Sequence, residues 1–388
     1  MSTTLTFPGL GRLQRAGSPD RHLRPLHQGL LTLSLILLLP LSAWAADSAT
    51  PRLEPLPALG ALTDQSSVSG LSSGAFMASQ FHIAYSKNLV GVGVVAGGPW
   101  NCAATNPYAL PSINAMTSCM NPLPSIPFPD PDYLTDLAND SAALGVIDNP
   151  ANIKDDRIYL FSGKSDETVV TAVVDTTAAF YRQMGVAAQQ IHYNKSVDAG
   201  HAFITDNRAD NPCAETEPPY INNCGFEQSQ RLLNHIYGAL NPPTPQPGGD
   251  LIQFDQAEFV DGPQAGMGAS AYVYVPQQCY QEACKVHVAF HGCGQSAAEI
   301  GTRYVVGTGY NPIADNNGII VLYPQVAKAQ ALSLNPKGCW DFWGYTGLNL
   351  PPYIYYQQSA PQMQAIDRMI RRLTSVRGAV KQVGFVFP

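Results

Sequence analysis

The chain has 388 residues, of which 45% are apolar and 13% charged, with a formal net charge of −7. That length suits one large domain or two small ones. An acidic chain without a Lys/Arg cluster argues against nucleic acid or anionic membranes as partners and favours a neutral substrate.

Arg12, Arg15, Arg21 and Arg24 precede an apolar run from Leu30 to Leu41, which ends in the small-residue site Ala43-Trp-Ala45. This pattern predicts a secretory signal peptide over residues 1–45. Its apolar core is too short to span a bilayer, and no later stretch is long and apolar enough, so stable membrane insertion is not expected. Cleavage after Ala45 leaves residues 46–388, in the periplasm or outside the cell. It removes four arginines and Asp20, which takes the charge from −7 to −10. All eight cysteines lie beyond the leader. An even count in an exported chain reads as disulfides. Close spacing pairs Cys102 with Cys119, Cys213 with Cys224 and Cys279 with Cys284, leaving Cys293 for Cys339. No C-x-x-C pair or histidine cluster accompanies them, so no metal is expected.

Residues 46–64 are rich in Pro, Ala and Leu and are expected on the surface. Gln65–Ser69 reads as a strand, although it is more polar than a central buried strand usually is. It enters Gly70-Leu-Ser-Ser-Gly74, the G-x-S-x-G signature of a nucleophile elbow, where a serine sits on a tight strand-to-helix turn. Phe76, Ala78, Phe81 and Tyr85 give a short helical run, and 89–96 a buried strand. Residues 97–150 are rich in Pro, Asn and Asp and read as a looped insertion at a substrate rim. A strand at 157–161, a helix at 170–184 and a strand at 190–197 form a βαβ unit with parallel pairing. Leu232, Leu233, Ile236 and Tyr237 belong to another helix. Asn241-Pro-Pro-Thr-Pro-Gln-Pro-Gly-Gly249 is a linker inside the domain. Strands follow at 251–259, 271–275 and 285–290, then a helix near 296–306 and a strand at 319–323. Met363, Ile366, Met369, Ile370 and Leu373 form a core-facing helical stripe, with Arg368, Arg371 and Arg372 toward solvent.

A nucleophilic serine needs a base to take its proton and an acid to orient that base. In chain order Ser, acid, His, the candidates are Ser72, Asp166 after the strand at 157–161, and His201 after the strand at 190–197. Neighbouring parallel strands put those loops side by side. Asp156 lies at a strand start, the wrong edge of the sheet. Glu167 is a possible substitute acid. Asp198 is expected to bond backbone in its own turn. His82 and His235 lie on helices, His192 and His287 inside strands. The backbone N–H of Ser73 supplies half of an oxyanion hole. The other half is assigned to the N–H of Cys293, in Phe290-His-Gly-Cys-Gly-Gln-Ser296, with His291 structural. An oxyanion loop normally precedes the nucleophile. Here it follows, which points to circular permutation: the usual termini joined through the Pro-rich linker and new ones opened ahead of the elbow strand.

Five segments, residues 67–74, 96–102, 161–166, 198–201 and 291–295, resemble in order the single-domain, circularly permuted poly(3-hydroxybutyrate) depolymerases. The resemblance runs from about residue 55 to about residue 375. It implies an α/β fold, a mostly parallel sheet with helices on both faces, and a serine esterase acting on a polyester without cofactor or metal. The same nucleophile, acid, base and oxyanion donors are implied, with an aromatic crevice for the polymer. Trp100, Trp340, Trp343 and Tyr345 are candidates for its apolar subsites. Many relatives append a substrate-binding domain, which is not expected here, and a monomer is expected. The rival readings are a feruloyl, acetyl-xylan or aromatic polyester esterase on the same scaffold, and a non-catalytic binding protein.

Overall fold

The computed structural model describes residues 53–328 and 335–377. The leader expected over 1–45 lies outside the described residues. Among the described residues eleven strands are formed: β1 Ser66–Leu71, β2 Leu89–Val95, β3 Arg157–Phe161, β4 Ile191–Asn194, β5 Phe203–Thr205, β6 Asn211–Pro212, β7 Ile221–Asn223, β8 Asp250–Asp255, β9 Ser270–Val275, β10 Lys285–Phe290 and β11 Ile319–Tyr323. Eight make one sheet in the order β4-β3-β2-β1-β10-β11-β9-β8. The pairs from β4 through β11 are parallel, while β9 runs antiparallel to both β11 and β8.

That order carries the permutation. The elbow strand β1 pairs in parallel with β10, more than two hundred residues later, with Ser67 opposite His287. If strands are counted from the Pro-rich linker instead, β8 to β11 come first and β1 to β4 last. The sheet then reads 1-2-4-3-5-6-7-8, a simply connected α/β order. The fold is thus a permuted α/β-hydrolase.

The central strands are buried on both faces, as a parallel sheet covered by helices requires. The polarity of β1 has a specific resolution. Its serines at 67 and 69 share a face, and the cross-strand His287 bridges them, with Nδ1 2.7 Å from Ser67 Oγ and Nε2 2.7 Å from Ser69 Oγ. Tyr237 and Tyr310 hydroxyls close the chain at 2.7 Å and 2.6 Å. Ser67, Ser69 and His287 thereby each keep a partner, whereas the buried Ser66 hydroxyl of the same strand has none.

Several expected elements shift. The strand placed at 251–259 ends at Asp255, because a 3₁₀ turn at Ala257–Phe259 follows. The helix expected near 296–306 is two short ones, Ala297–Ile300 and Arg303–Gly307, parted at Gly301, whose φ is +63°. The strand expected to Val197 stops at Asn194, whose side chain accepts from the Ser196 amide. The small sheet β5-β7-β6 had no legible strand pattern. The Pro361–Thr374 helix buries the expected apolar stripe, while Arg368 and Arg372 pair with Asp261 and Glu258.

Candidate active site

The sharp turn after β1 is built by close approach. A Cβ at Gly70 would lie 2.4 Å from the Gly74 backbone, and one at Gly74 would lie 2.4 Å from the Phe290 carbonyl. Neither position tolerates a side chain, so helix Ser73–Ala84 seats directly against the end of β10. Ser72 between them is held at φ +57°, a region L-residues seldom occupy. It is 9% exposed, at the C-terminal edge of the sheet.

Along that edge, loop backbones are tied in sequence. Ser72 N–H donates to Val95, Ala96 N–H to Phe161, and Ser162 N–H to Asn194. The tie continues to the next turn, where Ser165 N–H donates to Ala199 O. Gly163 is required here, since a Cβ would fall 2.1 Å from the Ala199 carbonyl. Asp166 and His201 therefore meet: His201 Nδ1 is 2.8 Å from Asp166 Oδ2. The other carboxylate oxygen accepts from the amides of Thr168 and Val169, both at 2.9 Å. Glu167, the substitute acid, is exposed, with only its carbonyl engaged, by Asn121. Asp198 does not bond backbone as expected. Its carboxylate accepts from the Ser165 hydroxyl and so ties the acid loop to the base loop.

The loop after β10 lies on the elbow. A Cβ at Gly292 would touch Ser72 Cβ at 3.4 Å. Among the described residues, the N–H groups of Ser73 and Cys293 have no backbone acceptor and remain available as donors. His291 is fixed in one tautomer. Its Nε2 accepts from the Val326 amide at 3.1 Å, so Nδ1 carries the proton and donates to the Gly292 carbonyl at 2.7 Å. Burial pushes its pKa down to about 4. It is a structural histidine. Four disulfides close the pairs Cys102–Cys119, Cys213–Cys224, Cys279–Cys284 and Cys293–Cys339, the mark of an oxidising compartment. Among the described residues no group of His, Cys, Asp and Glu is arranged to hold a metal ion.

The aromatic subsites need correction. Trp100, Trp340 and Tyr345 are fully buried. Their polar atoms are spent inside the protein, on the carbonyls of Tyr356, His291 and Cys339 respectively. They have no face for a substrate. Trp343 alone of the four is partly exposed. It sits edge-on to Phe342, which stacks on Phe76 of the elbow helix at 4.2 Å. Asp341, which the sequence reading passed over, anchors this arm. Its carboxylate accepts from the amides of Trp343, Gly344, Tyr345 and Thr346 and from the Thr346 hydroxyl. Burial pushes its pKa up, against the pull of these donors.

The remaining histidines among the described residues lie outside this set. His82 on the elbow helix pairs with Asp156 at 2.9 Å, and His192 and His235 lie side by side at the β4 edge.

Elbow, strand order and a carboxylate-paired histidine on one sheet edge define the class: a serine hydrolase of the α/β-hydrolase fold. The chain is 36% identical over 350 residues to the polyhydroxybutyrate depolymerase of Talaromyces funiculosus, covering 86% of this chain and 97% of that one. It is 41% identical over 329 residues to the poly(3-hydroxybutyrate) depolymerase of Delftia acidovorans, of whose length it spans 62%. Among solved structures it is similar to the PHB depolymerase of Penicillium funiculosum, with a TM-score of 0.73 and 34% identity, over 82% of this chain and 98% of that one. The similarity is the same to a serine-to-alanine PHB depolymerase complexed with an R3HB trimer. No family model matches. The chain belongs to the poly(3-hydroxybutyrate) depolymerases, which are serine-type carboxylic ester hydrolases.

Proposed function

We propose that this protein is exported under the leader at 1–45, and that residues 46–388 form one catalytic domain cleaving the ester bonds of poly(3-hydroxybutyrate) or its oligomers. The observation carrying this reading is the Asp166–His201 pair, held on the same sheet edge as the Ser72 elbow. His201 Nε2 takes the Ser72 proton as Oγ attacks the ester carbonyl, and Asp166 stabilises the imidazolium that results. The oxyanion lies between the Ser73 and Cys293 amides, which are aimed at charge present only in the transition state. Proton transfer from the His201 imidazolium to the departing alkoxide oxygen releases one fragment as an alcohol, and water then cleaves the acyl-enzyme by the reverse roles. Trp343 contributes an apolar subsite beside the elbow.

Clearing of an amorphous poly(3-hydroxybutyrate) suspension, by wild type and by Ser72→Ala, tests this. Clearing by wild type alone, with release of 3-hydroxybutyrate or its oligomers, is expected. Turnover of short nitrophenyl esters without clearing would leave an esterase of another substrate class. Clearing by Ser72→Ala would remove Ser72 from the mechanism.

A further inference from the structure

Gln295 is 1% exposed and belongs to no part of the catalytic set described so far. Its carboxamide is nonetheless fully used. Oε1 accepts from the Gly292 amide at 2.7 Å. Nε2 donates to the carbonyls of Pro219 at 2.8 Å and Tyr220 at 3.2 Å. The amide orientation is fixed by chemistry, because a flip would set Oε1 against two carbonyl oxygens and the NH₂ against an N–H.

These bonds join two loops that no strand connects. On one side is Gly292, placed so that a Cβ there would meet Ser72, and immediately before the Cys293 donor. On the other is Tyr220, whose carbonyl also accepts from Phe203 N–H, two residues after the base. The same loop holds His201 directly, since the His201 amide donates to Thr216 Oγ1 at 2.8 Å. Tyr220 is kept at φ +57°, and its ring lies over Gly294, so its backbone sits where it does under constraint.

We propose that Gln295 is a positioning residue that registers the oxyanion donor of Cys293 against the general base His201. This rests on the esterase reading above. The carboxamide touches no reacting atom. It fixes the Gly292 peptide so that the next N–H along the chain stays unpaired and aimed. It also holds the base loop at the matching distance. Such a residue acts on transition-state stabilisation and leaves ground-state binding nearly untouched.

The test is steady-state kinetics on a soluble nitrophenyl butyrate with Gln295→Glu and Gln295→Met, alongside melting temperatures. Gln295→Glu can still accept from Gly292 N–H but turns an anion toward two carbonyls. Gln295→Met removes all three bonds at similar volume. Deleting one oxyanion donor typically costs about 10²–10³ in kcat, so a misaimed one should cost about 10- to 100-fold, with KM within about twofold. Labelling of Ser72 by a fluorophosphonate should slow in step. Gln295→Asn, whose carboxamide cannot span the gap, should behave like Gln295→Met. Wild-type kcat in either main variant overturns the proposal, as does a loss expressed mainly in KM. An inactive wild type would instead sink the esterase reading itself.

Discussion

His201 Nδ1 donates to Asp166 Oδ2 at 2.8 Å, while Asp166 Oδ1 is held by two backbone amides. With both oxygens committed, the carboxylate cannot rotate away, and the imidazole is held with Nε2 free to act as base. Asp166→Asn keeps the backbone bonds through its carbonyl oxygen and turns its NH₂ toward Nδ1. The imidazole must then carry its proton on Nε2, the wrong tautomer for taking one from Ser72. We expect kcat to fall by about 10⁴ with little change in melting temperature, the scale set by triads altered this way. Nitrophenyl ester kinetics decide it, and a loss below about tenfold would remove Asp166 from the role of acid.

The Cys293–Cys339 bridge joins the oxyanion loop to the arm that Asp341 anchors, across a separation of 46 residues. Cross-linking a loop of that length restricts the unfolded chain by about 4 kcal/mol. The pair Cys293→Ser with Cys339→Ser should lower the urea midpoint and should also depress kcat at temperatures where the protein remains folded. Cys279→Ser with Cys284→Ser, whose bridge spans only 5 residues, lies away from the elbow and should leave kcat unchanged. Equal kcat losses in the two double variants would mean that the first bridge only stabilises.

The elbow glycines and the pairing of Asp166 with His201 were legible because each combines a residue type with a place on a strand end, and strand ends are marked by hydrophobic periodicity. Burial of particular aromatics was not legible. Trp100 and Trp340 look like surface aromatics in a polar stretch, and only the carbonyls that meet their indole N–H groups show that they belong to the core. Nor was Asp341, whose five partners come from a loop without regular structure. The polar strand β1 looked wrong for the same reason. Its partner His287 lies in register on a strand more than two hundred residues away, and local pattern carries no trace of it.

That His287 network makes the fold acid-sensitive. Tyr237 OH lies 3.2 Å from the Gln65 and Val286 carbonyls and donates to them, so Ser67 donates to Tyr237 and His287 keeps its proton on Nδ1. Nε2 must then remain an acceptor for Ser69. Burial lowers the pKa of His287 to about 3 and that of His291 to about 4, against 6.5 when unfolded. Above pH 6.5 neither state binds these protons, and the full stability is present. Below it the unfolded chain takes protons that the folded one refuses, so stability drops by about 1.4 kcal/mol per pH unit for each histidine. Urea unfolding between pH 7 and pH 4.5 should show the slope. His287→Asn should start less stable and fall less steeply, and an unchanged slope would exclude His287 as its source.

Glu227 carries the opposite sign. Burial, then the neighbouring Asp206 carboxylate, raises its pKa to about 7 from 4.5, against the lowering pull of the Asp206 amide. Its contribution is therefore present below pH 4.5 and is lost as pH climbs through 7. Glu227→Gln keeps an oxygen for the Asp206 amide and removes the charge. Its melting temperature should exceed wild type at pH 8 and match it at pH 5. A gain of equal size at both values would point to packing rather than ionisation.

Trp343 offers the sharpest separation of polymer binding from chemistry. Its backbone is fixed by Asp341, and its partly exposed ring abuts Phe342, which packs on the elbow helix. A short nitrophenyl ester fills only the site next to Ser72, whereas a hydroxybutyrate trimer extends beyond it. Burying one indole face against aliphatic ester is worth about 1–2 kcal/mol, or about tenfold in affinity. Trp343→Ala should raise KM for the trimer by that factor and leave kcat/KM for the short ester within about twofold. The reverse variants Trp100→Phe and Trp340→Phe each remove a buried N–H partner and should lower melting temperature without a change specific to the trimer. If those two raise the trimer KM and Trp343→Ala does not, the ring beside the elbow is not the subsite.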